Sequence, residues 1–405
     1  MSHAEQETTP FLMQHAPLWQ RMICRRLNTI THGRLTVIFP GGSEFVCNGR
    51  EPGPHAVVSL NRGRVVRRLL MGGSLGFAQA YMDGDWDTPD IATLIEVAIA
   101  NEANWMSVSE PARLVSAFAY LRHRLRRNSK SGSRRNISFH YDLGNSFYSA
   151  WLDETMTYSS ALFQTPGQSL ADAQNAKYDR IVEQLKIGPD DHVLEVGCGW
   201  GGFAEYAIAK TGCRVTGLTL STEQADFARK RLAKAGLADR ADIRLEDYRD
   251  CQGTFSKIVS IEMFEAVGEE NWPTYFQRLQ DLLAKGGEAM VQVITIAEDR
   301  FDEYRSNADF IQTYIFPGGM LPTVTAFRKA AENKGFTVPD MLRFGKDYEH
   351  TLMLWDRSFS ANWHRVQPLG FDERFRRMWR YYLHYCAAGF RTDRIDVVQF
   401  KLAKP

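Results

Sequence analysis

The 405-residue chain contains no run of about 18 apolar residues, so no segment reads as a membrane-spanning helix. It also lacks charge of one sign: 49 Lys and Arg against 48 Asp and Glu leave a net charge of +1. That balance excludes an overall nucleic-acid-binding polycation and leaves any electrostatic role to local clusters. Cysteine is sparse. Cys24, Cys47, Cys198, Cys213, Cys251 and Cys386 stand singly, with no C-x-x-C pair and no His/Cys cluster at zinc spacing. The pattern argues against a disulfide framework and a bound metal, and it suggests a reducing compartment. Met1 to Pro10 is polar and acidic, without the basic start, apolar stretch and cleavage pattern of a secretory leader. The expectation is a cytoplasmic protein that visits a membrane only at its inner surface, if its substrate is a lipid.

What is present is ordinary globular composition, 44% hydrophobic and 24% charged, in a length that accommodates two domains, each with its own core. Residues 1–121 read as a small α+β domain. Strands are expected at Arg34–Phe39 and Ala56–Leu60, and helices from Gly72-Gly-Ser-Leu-Gly76 to Tyr81 and over Asp90–Ile99. Residues 122–135 hold seven Lys/Arg, three Ser and one Gly, the composition of a linker. A basic linker also suits anionic headgroups, at about 1 kcal/mol per basic residue near the surface. Residues 136–405 form the second domain. Strands at Asp191–Gly197, Arg214–Thr219, Ala241–Leu245, Lys257–Ile261 and Glu288–Ile294 alternate with helices at Gly202–Thr211, Ser221–Ala235 and Trp272–Leu283. Ser221 is placed as an N-cap, with Gln224 at the capping-box position. Such alternation predicts an α/β fold with a doubly wound, mostly parallel Rossmann-like sheet, whose ligands bind at the carboxyl ends of the strands.

The sharpest motif is Val193-Leu-Glu-Val-Gly-Cys-Gly-Trp-Gly-Gly202, a strand that runs through a glycine turn into a helix. Its glycines allow tight turning and close approach of a ligand to backbone. A dinucleotide fingerprint places its acid about 20 residues later. Here the acid, Glu195, lies inside the strand, where a carboxylate faces a cationic amino group rather than a phosphate. This arrangement resembles the first motif of class I S-adenosylmethionine methyltransferases. The second strand ends in Thr219-Leu-Ser221 with no acid to grip a ribose, so hydroxyls and Gln224 must serve. Asp247 and Tyr248, after the third strand, offer an acceptor for an adenine amine and a ring edge.

Several segments in order resemble the cyclopropane-fatty-acyl-phospholipid synthases and their mycolic acid methyltransferase relatives, over roughly residues 135–400. They are His140-Tyr-Asp-Leu-Gly-Asn145, Met156-Thr-Tyr-Ser-Ser160, the glycine motif, Met263-Phe-Glu265, Tyr314-Ile-Phe-Pro-Gly-Gly319 and Tyr382-Leu-His-Tyr-Cys-Ala-Ala-Gly-Phe390. The resemblance implies S-adenosylmethionine as cofactor, contacted by Tyr158, Ser159, Gly197, Gly199, Thr219, Gln224 and the Asp247-Tyr248 turn. It implies phospholipid acyl chains as substrate, taken from the membrane surface into an apolar tunnel, and a homodimer. It further implies a bound bicarbonate as general base, with Glu265 as its anchor, Tyr348 as the family tyrosine and Ile294 contributing backbone.

The chain departs from the family at two of these positions. Ser160 replaces a cysteine, and Gln292 replaces a histidine. An imidazole can hold an anion by charge-assisted hydrogen bonds, whereas an amide stays neutral. The departure touches ring closure, not methyl transfer. The expected product is therefore either a cyclopropane or a methyl-branched chain, the latter with a partner reductase or desaturase. Two other readings are a methyltransferase for a soluble small molecule and a non-catalytic lipid-binding relic. His140 reads as a ligand, a base or a packed residue, and Cys386 as core.

Overall fold

The computed structural model describes residues 16–105 and 143–405. The basic linker and His140 lie outside them. The chain divides into two compact units, Met1–Ala119 with Asp372–Ala388, and Tyr120–Phe371 with Gly389–Pro405. The segment Asp372–Ala388, which reads in sequence as part of the second domain, thus groups with the first unit.

The first unit contains α1 (Leu18–Leu27), β1 (His32–Ile38), β2 (Glu44–Asn48), β3 (Glu51–Leu60), α2 (Arg64–Met82), β4 (Trp86–Asp87) and α3 (Ile91–Ala100). Its sheet runs β2-β1-β3-β4, with β1 and β3 parallel. α2 breaks at Gly73, whose φ of 54° and ψ of −139° are non-helical. The helix expected from Gly72 onward is therefore the second half of a longer, kinked element. Asp90 caps α3 by accepting from the Thr93 backbone N–H. Beyond the helix, buried Asn101 accepts from the N–H groups of Thr31 and His32 and donates to the carbonyls of His32 and Val97.

The second unit contains α4 (Leu170–Leu185), β5 (His192–Val196), α5 (Gly202–Thr211), β6 (Arg214–Thr219), α6 (Thr222–Lys234), β7 (Ala241–Leu245), β8 (Phe255–Ile261), α7 (Trp272–Leu282), β9 (Leu283–Ile296), α8 (Val324–Glu332), β10 (Thr337–Arg343), α9 (Gly345–Ala361), α10 (Glu373–Arg391, whose last residues belong here) and β11 (Ile395–Ala403). The seven strands lie in the order β10-β11-β9-β8-β5-β6-β7. β7, β6, β5, β8 and β9 are parallel, as the alternation requires, and β11 inserts antiparallel between β9 and β10. β5 is apolar and buried on both faces because helices cover both sides. One face packs Phe264, Tyr275, Phe276, Phe327 and Phe400; the other packs Ile181, Phe203, Ile208, Leu232 and Met290.

Two local expectations are modified. β9 begins at Leu283, but its regular ladder to β8 starts only at Glu288, after a register shift beside Lys285-Gly-Gly287. Ser221 caps α6 by accepting from the Gln224 N–H, but the Gln224 side chain does not complete the box. Its Oε1 accepts from Thr219 Oγ1, and that hydroxyl accepts from the Ser221 N–H.

Gly217, paired with Glu195 across β5 and β6, leaves little room for a side chain. A Cβ there would sit 2.8 Å from Ile243 Cδ1 and 3.0 Å from Cys198 Cβ. Gly217→Val is expected to destabilise the second unit by about 1–3 kcal/mol through overpacking, read as a lower thermal midpoint.

Candidate active site

The glycine turn after β5 is held against β6. Both Gly197 and Cys198 donate their N–H groups to the Leu218 carbonyl. Gly197, Gly199 and Gly201 all have positive φ, of 85°, 51° and 79°. A Cβ at Gly199 would meet nothing within 4 Å, so the turn presents bare backbone to open space. Glu195 is buried in β5, and its Oε2 has no hydrogen-bond partner. Burial holds its pKa well above the usual carboxylate value, opposed by Arg231 and Lys177. An orphaned carboxylate oxygen beside a bare glycine turn fits a ligand with a cationic amino group.

The other positions expected at the cofactor are each fixed by neighbouring groups of the protein. Tyr158 is enclosed by Tyr148, Trp151 and Trp355, at ring-centroid distances of 5.4, 5.8 and 5.2 Å. Ser159 is anchored through its hydroxyl to Lys177 Nζ at 2.6 Å and through its carbonyl to Gln174 Nε2 at 2.8 Å. Thr219 and Gln224 bond each other at 2.8 Å. Asp247 does not offer an open carboxylate. Arg249 takes it through backbone N–H, Nε and Nη2, at 2.7–2.9 Å. Tyr248 packs edge-on against Tyr275.

The acid cluster lies at the carboxyl ends of β8 and β9. Of the five positions expected there, three converge on a residue that the sequence reading overlooked. Glu262 Oε1 accepts from the Ser160 N–H at 2.8 Å and from Gln292 Nε2 at 2.7 Å. Glu262 Oε2 accepts from the Tyr348 hydroxyl at 2.6 Å. Gln292 is oriented in turn, because its Oε1 accepts from Gln399 Nε2 of β11 at 3.0 Å. The Ser160 hydroxyl turns away to the Ala161 carbonyl. The remaining two positions bond each other: the Ile294 N–H donates to Glu265 Oε1 at 2.6 Å, while Glu265 Oε2 is buried without a partner. The signal for Glu262 is a second acid three residues before Glu265, at the strand end Ile261-Glu-Met-Phe-Glu265.

α9 delivers Tyr348. Its buried residues 348, 351, 352, 355, 356 and 359 follow the helical i, i+3, i+4, i+7, i+8 spacing. Asp347 and Thr351 of α9 accept from the N–H groups of Phe163 and Ala161, so the helix is laced to the strip that carries Ser160.

Electrostatics separate the two acids. Burial raises both. Glu262 is pulled back by Tyr348, Lys177, the Ser160 N–H and Gln292. Glu265 has fewer donors, and burial, with Glu262 as a neighbouring like charge, pushes it up to about 8. The unequal surroundings therefore favour the charge at Glu262 and the proton at Glu265. Lys177 is lowered by burial, against the attraction of Glu262, Asp153 and Glu195.

This arrangement does not fit a bound bicarbonate. The Ser160 N–H, one Gln292 amide N–H and the Tyr348 hydroxyl already donate to Glu262, so groups expected to hold the anion are engaged by a carboxylate of the chain itself.

Glu265 gives the site a pH signature. Its folded pKa of about 8 lies above the ordinary value of about 4.3 in an unfolded chain. The folded state therefore binds more protons in that window, and stability falls as pH rises through it. Glu265→Gln removes this dependence. Its thermal midpoint relative to wild type is expected to rise between pH 6 and pH 9, followed by calorimetry across that range.

The family described as mycolic acid cyclopropane synthetase matches residues 128–400. A tuberculostearic acid methyltransferase of Mycobacterium tuberculosis is 35% identical over 98% of this chain and 93% of its own length. The cyclopropane-fatty-acyl-phospholipid synthase of Escherichia coli K12 is 35% identical over 87% of this chain and 88% of its own. A mycolic acid cyclopropane synthase solved with SAH and CTAB superposes with a TM-score of 0.63, at 33% identity, over 67% of this chain and 98% of that one. With the Glu195 and glycine-turn geometry, these matches make S-adenosylmethionine the cofactor, and the chain belongs to the mycolic acid cyclopropane synthetase family of S-adenosylmethionine-dependent lipid methyltransferases.

Proposed function

We propose that this enzyme methylates the double bond of an unsaturated phospholipid acyl chain and releases a methyl-branched chain rather than a ring. The observation that carries the product is the closure of Ser160, Gln292 and Tyr348 on Glu262, which engages groups expected to hold the family's bicarbonate. The substrate class is supported by similarity along 98% of the chain to a relative named as a tuberculostearic acid methyltransferase, and along 87% to a phospholipid-acting synthase.

S-adenosylmethionine supplies an electrophilic methyl group on a sulfonium. The chain's own residues bind, orient and dry the site. Glu195 Oε2 receives the amino group, and the Gly199 backbone allows close approach. The rings of Tyr148, Trp151, Tyr158 and Trp355 form an aromatic wall that excludes water. Aromatic faces also stabilise cationic character nearby, by about 0.5–2 kcal/mol per contact. An isolated alkene is a weak nucleophile, so holding it near the methyl group is the main source of rate.

Access to lipid is supported by apolar residues exposed on the first unit: Leu18 and Met22 on α1, and Leu69, Leu70 and Met71 on α2. No helix among the described residues is long and apolar enough to cross a membrane. The proposal therefore has the enzyme visit the membrane surface. If the product is a methyl-branched alkene, a separate reductase completes a saturated methyl-branched chain.

Mass spectrometry of phospholipid fatty acids from an expressing host tests the reading. The expected product is an acid heavier by one CH2 that takes up hydrogen on mild hydrogenation. A product resistant to hydrogen would be the ring, and would overturn the branched assignment. No methylated acid under conditions where S-adenosylmethionine is bound would overturn the acyl-lipid reading.

Gly199→Ala tests the cofactor placement. A Cβ there costs little backbone strain, about 1–2 kcal/mol in the left-handed region, but it projects into the space assigned to ligand. S-adenosylhomocysteine affinity is expected to fall at least tenfold, about 1.4 kcal/mol, in titration calorimetry of the folded variant.

A further inference from the structure

We propose that the carboxylate of Glu262 is the built-in base of this site, standing in place of a dissolved anion and receiving the proton that the methylated acyl chain gives up. This inference rests on the acyl-methylation reading above and extends it to a named proton acceptor.

Three observations carry it. First, the Ser160 N–H, Gln292 amide and Tyr348 hydroxyl, three of the groups expected to surround a free anion, all donate to Glu262. Three of the five expected positions thus hold a covalently attached carboxylate. Second, a carboxylate offers about four lone-pair sites. Oε1 uses two and Oε2 uses one, so a single acceptor site stays open on Oε2. Third, Glu262 holds a φ of 50° at the end of β8, where a side chain costs backbone strain that glycine would avoid. Strain is retained at a position whose carboxylate gathers donors from three separate parts of the unit.

The chemistry balances without an oxidant or reductant. The acyl double bond forms a C–C bond to the methyl carbon as the C–S bond breaks, and S-adenosylhomocysteine leaves. The neighbouring acyl carbon becomes cationic. One adjacent C–H bond of the chain gives its electron pair to that carbon, forming a new double bond, and the proton passes to Glu262 Oε2. Each turnover releases one proton to solvent when Glu262 ionises again. Burial raises Glu262 above the usual carboxylate value, which improves its basicity, while its donors and Lys177 keep it ionisable. The alternative role is a purely structural latch between β8, β9 and α9.

The test uses the purified full-length protein with S-adenosylmethionine and vesicles of cis-unsaturated phosphatidylglycerol and phosphatidylethanolamine. Wild type is expected to work at the same rate in bicarbonate-stripped and bicarbonate-supplemented buffer. Glu262→Gln is expected to lose about 10²–10⁴-fold in product formation, the usual contribution of a positioned base, with S-adenosylhomocysteine binding retained. Glu262→Gly is expected to regain part of its activity when bicarbonate, formate or acetate is added, which a latch would not show. In ¹³C-bicarbonate titrations followed by NMR, wild type is expected not to bind and Glu262→Gly to bind. A wild-type rate that falls on stripping, wild-type bicarbonate binding, or a fully active Glu262→Gln would each overturn the proposal. If no vesicle supports turnover, the acyl-lipid reading fails, and the bicarbonate titrations still decide whether Glu262 has taken the anion's place.

Discussion

A carboxylate moved out of water must be given hydrogen-bond donors or a counter-charge, and Glu262 is given both. An unsatisfied buried polar group costs about 1–3 kcal/mol, and more when charged. That cost is avoided only if the Ser160 strip, β9 and α9 arrive together, because each contributes one donor. Lys177 on α4 adds an attractive charge from another direction. The order of the catalytic edge therefore depends on this single group: loosening any contributor exposes or orphans the charge. Lys177 in turn is fixed by Ser159 and Gln174, so the same network sets the backbone that leads to Ser160.

The contrast between Glu262 and Glu265 follows from the same accounting. Both lie at the end of β8, three residues apart, and both are desolvated. Glu262 collects three donors; Glu265 collects the Ile294 N–H and leaves one oxygen bare. Two neighbouring carboxyls cannot both ionise cheaply, so unequal donor counts decide which one keeps the proton. Unequal surroundings thus favour the charge on one of two identical side chains and the proton on the other, a division of labour that acid–base chemistry needs.

The parts of this arrangement legible in the sequence are those encoded locally. The glycine turn, Glu195 inside its strand and the five parallel strands each follow from residues within a few positions of one another. β10 and β11 carry no such local signature. β10 has no fully buried residue, and β11 pairs with β9 across about a hundred intervening residues. Asp247 reads as an open acceptor until Arg249, two residues on, closes over it. Glu262 escaped notice for a related reason. Its donors lie 102, 30 and 86 positions away, so nothing near it in the chain marks it as a receptor's occupant.

The departures at 160 and 292 make sense together once Glu262 is in place. The Ser160 contact runs through its backbone N–H, so side-chain identity there matters little. At 292 the side chain must donate to Glu262 and also accept from Gln399, and an amide does both with a fixed dipole. A charged imidazole would donate at both nitrogens, and Gln399 would have to turn its unpartnered Oε1 toward it. A cationic holder suits an anion that must be captured from solution; a neutral, oriented amide suits a carboxylate already tethered. The glutamine is therefore the partner that an internal anion calls for, and Glu262 and Gln292 form one device rather than two separate losses from the family pattern.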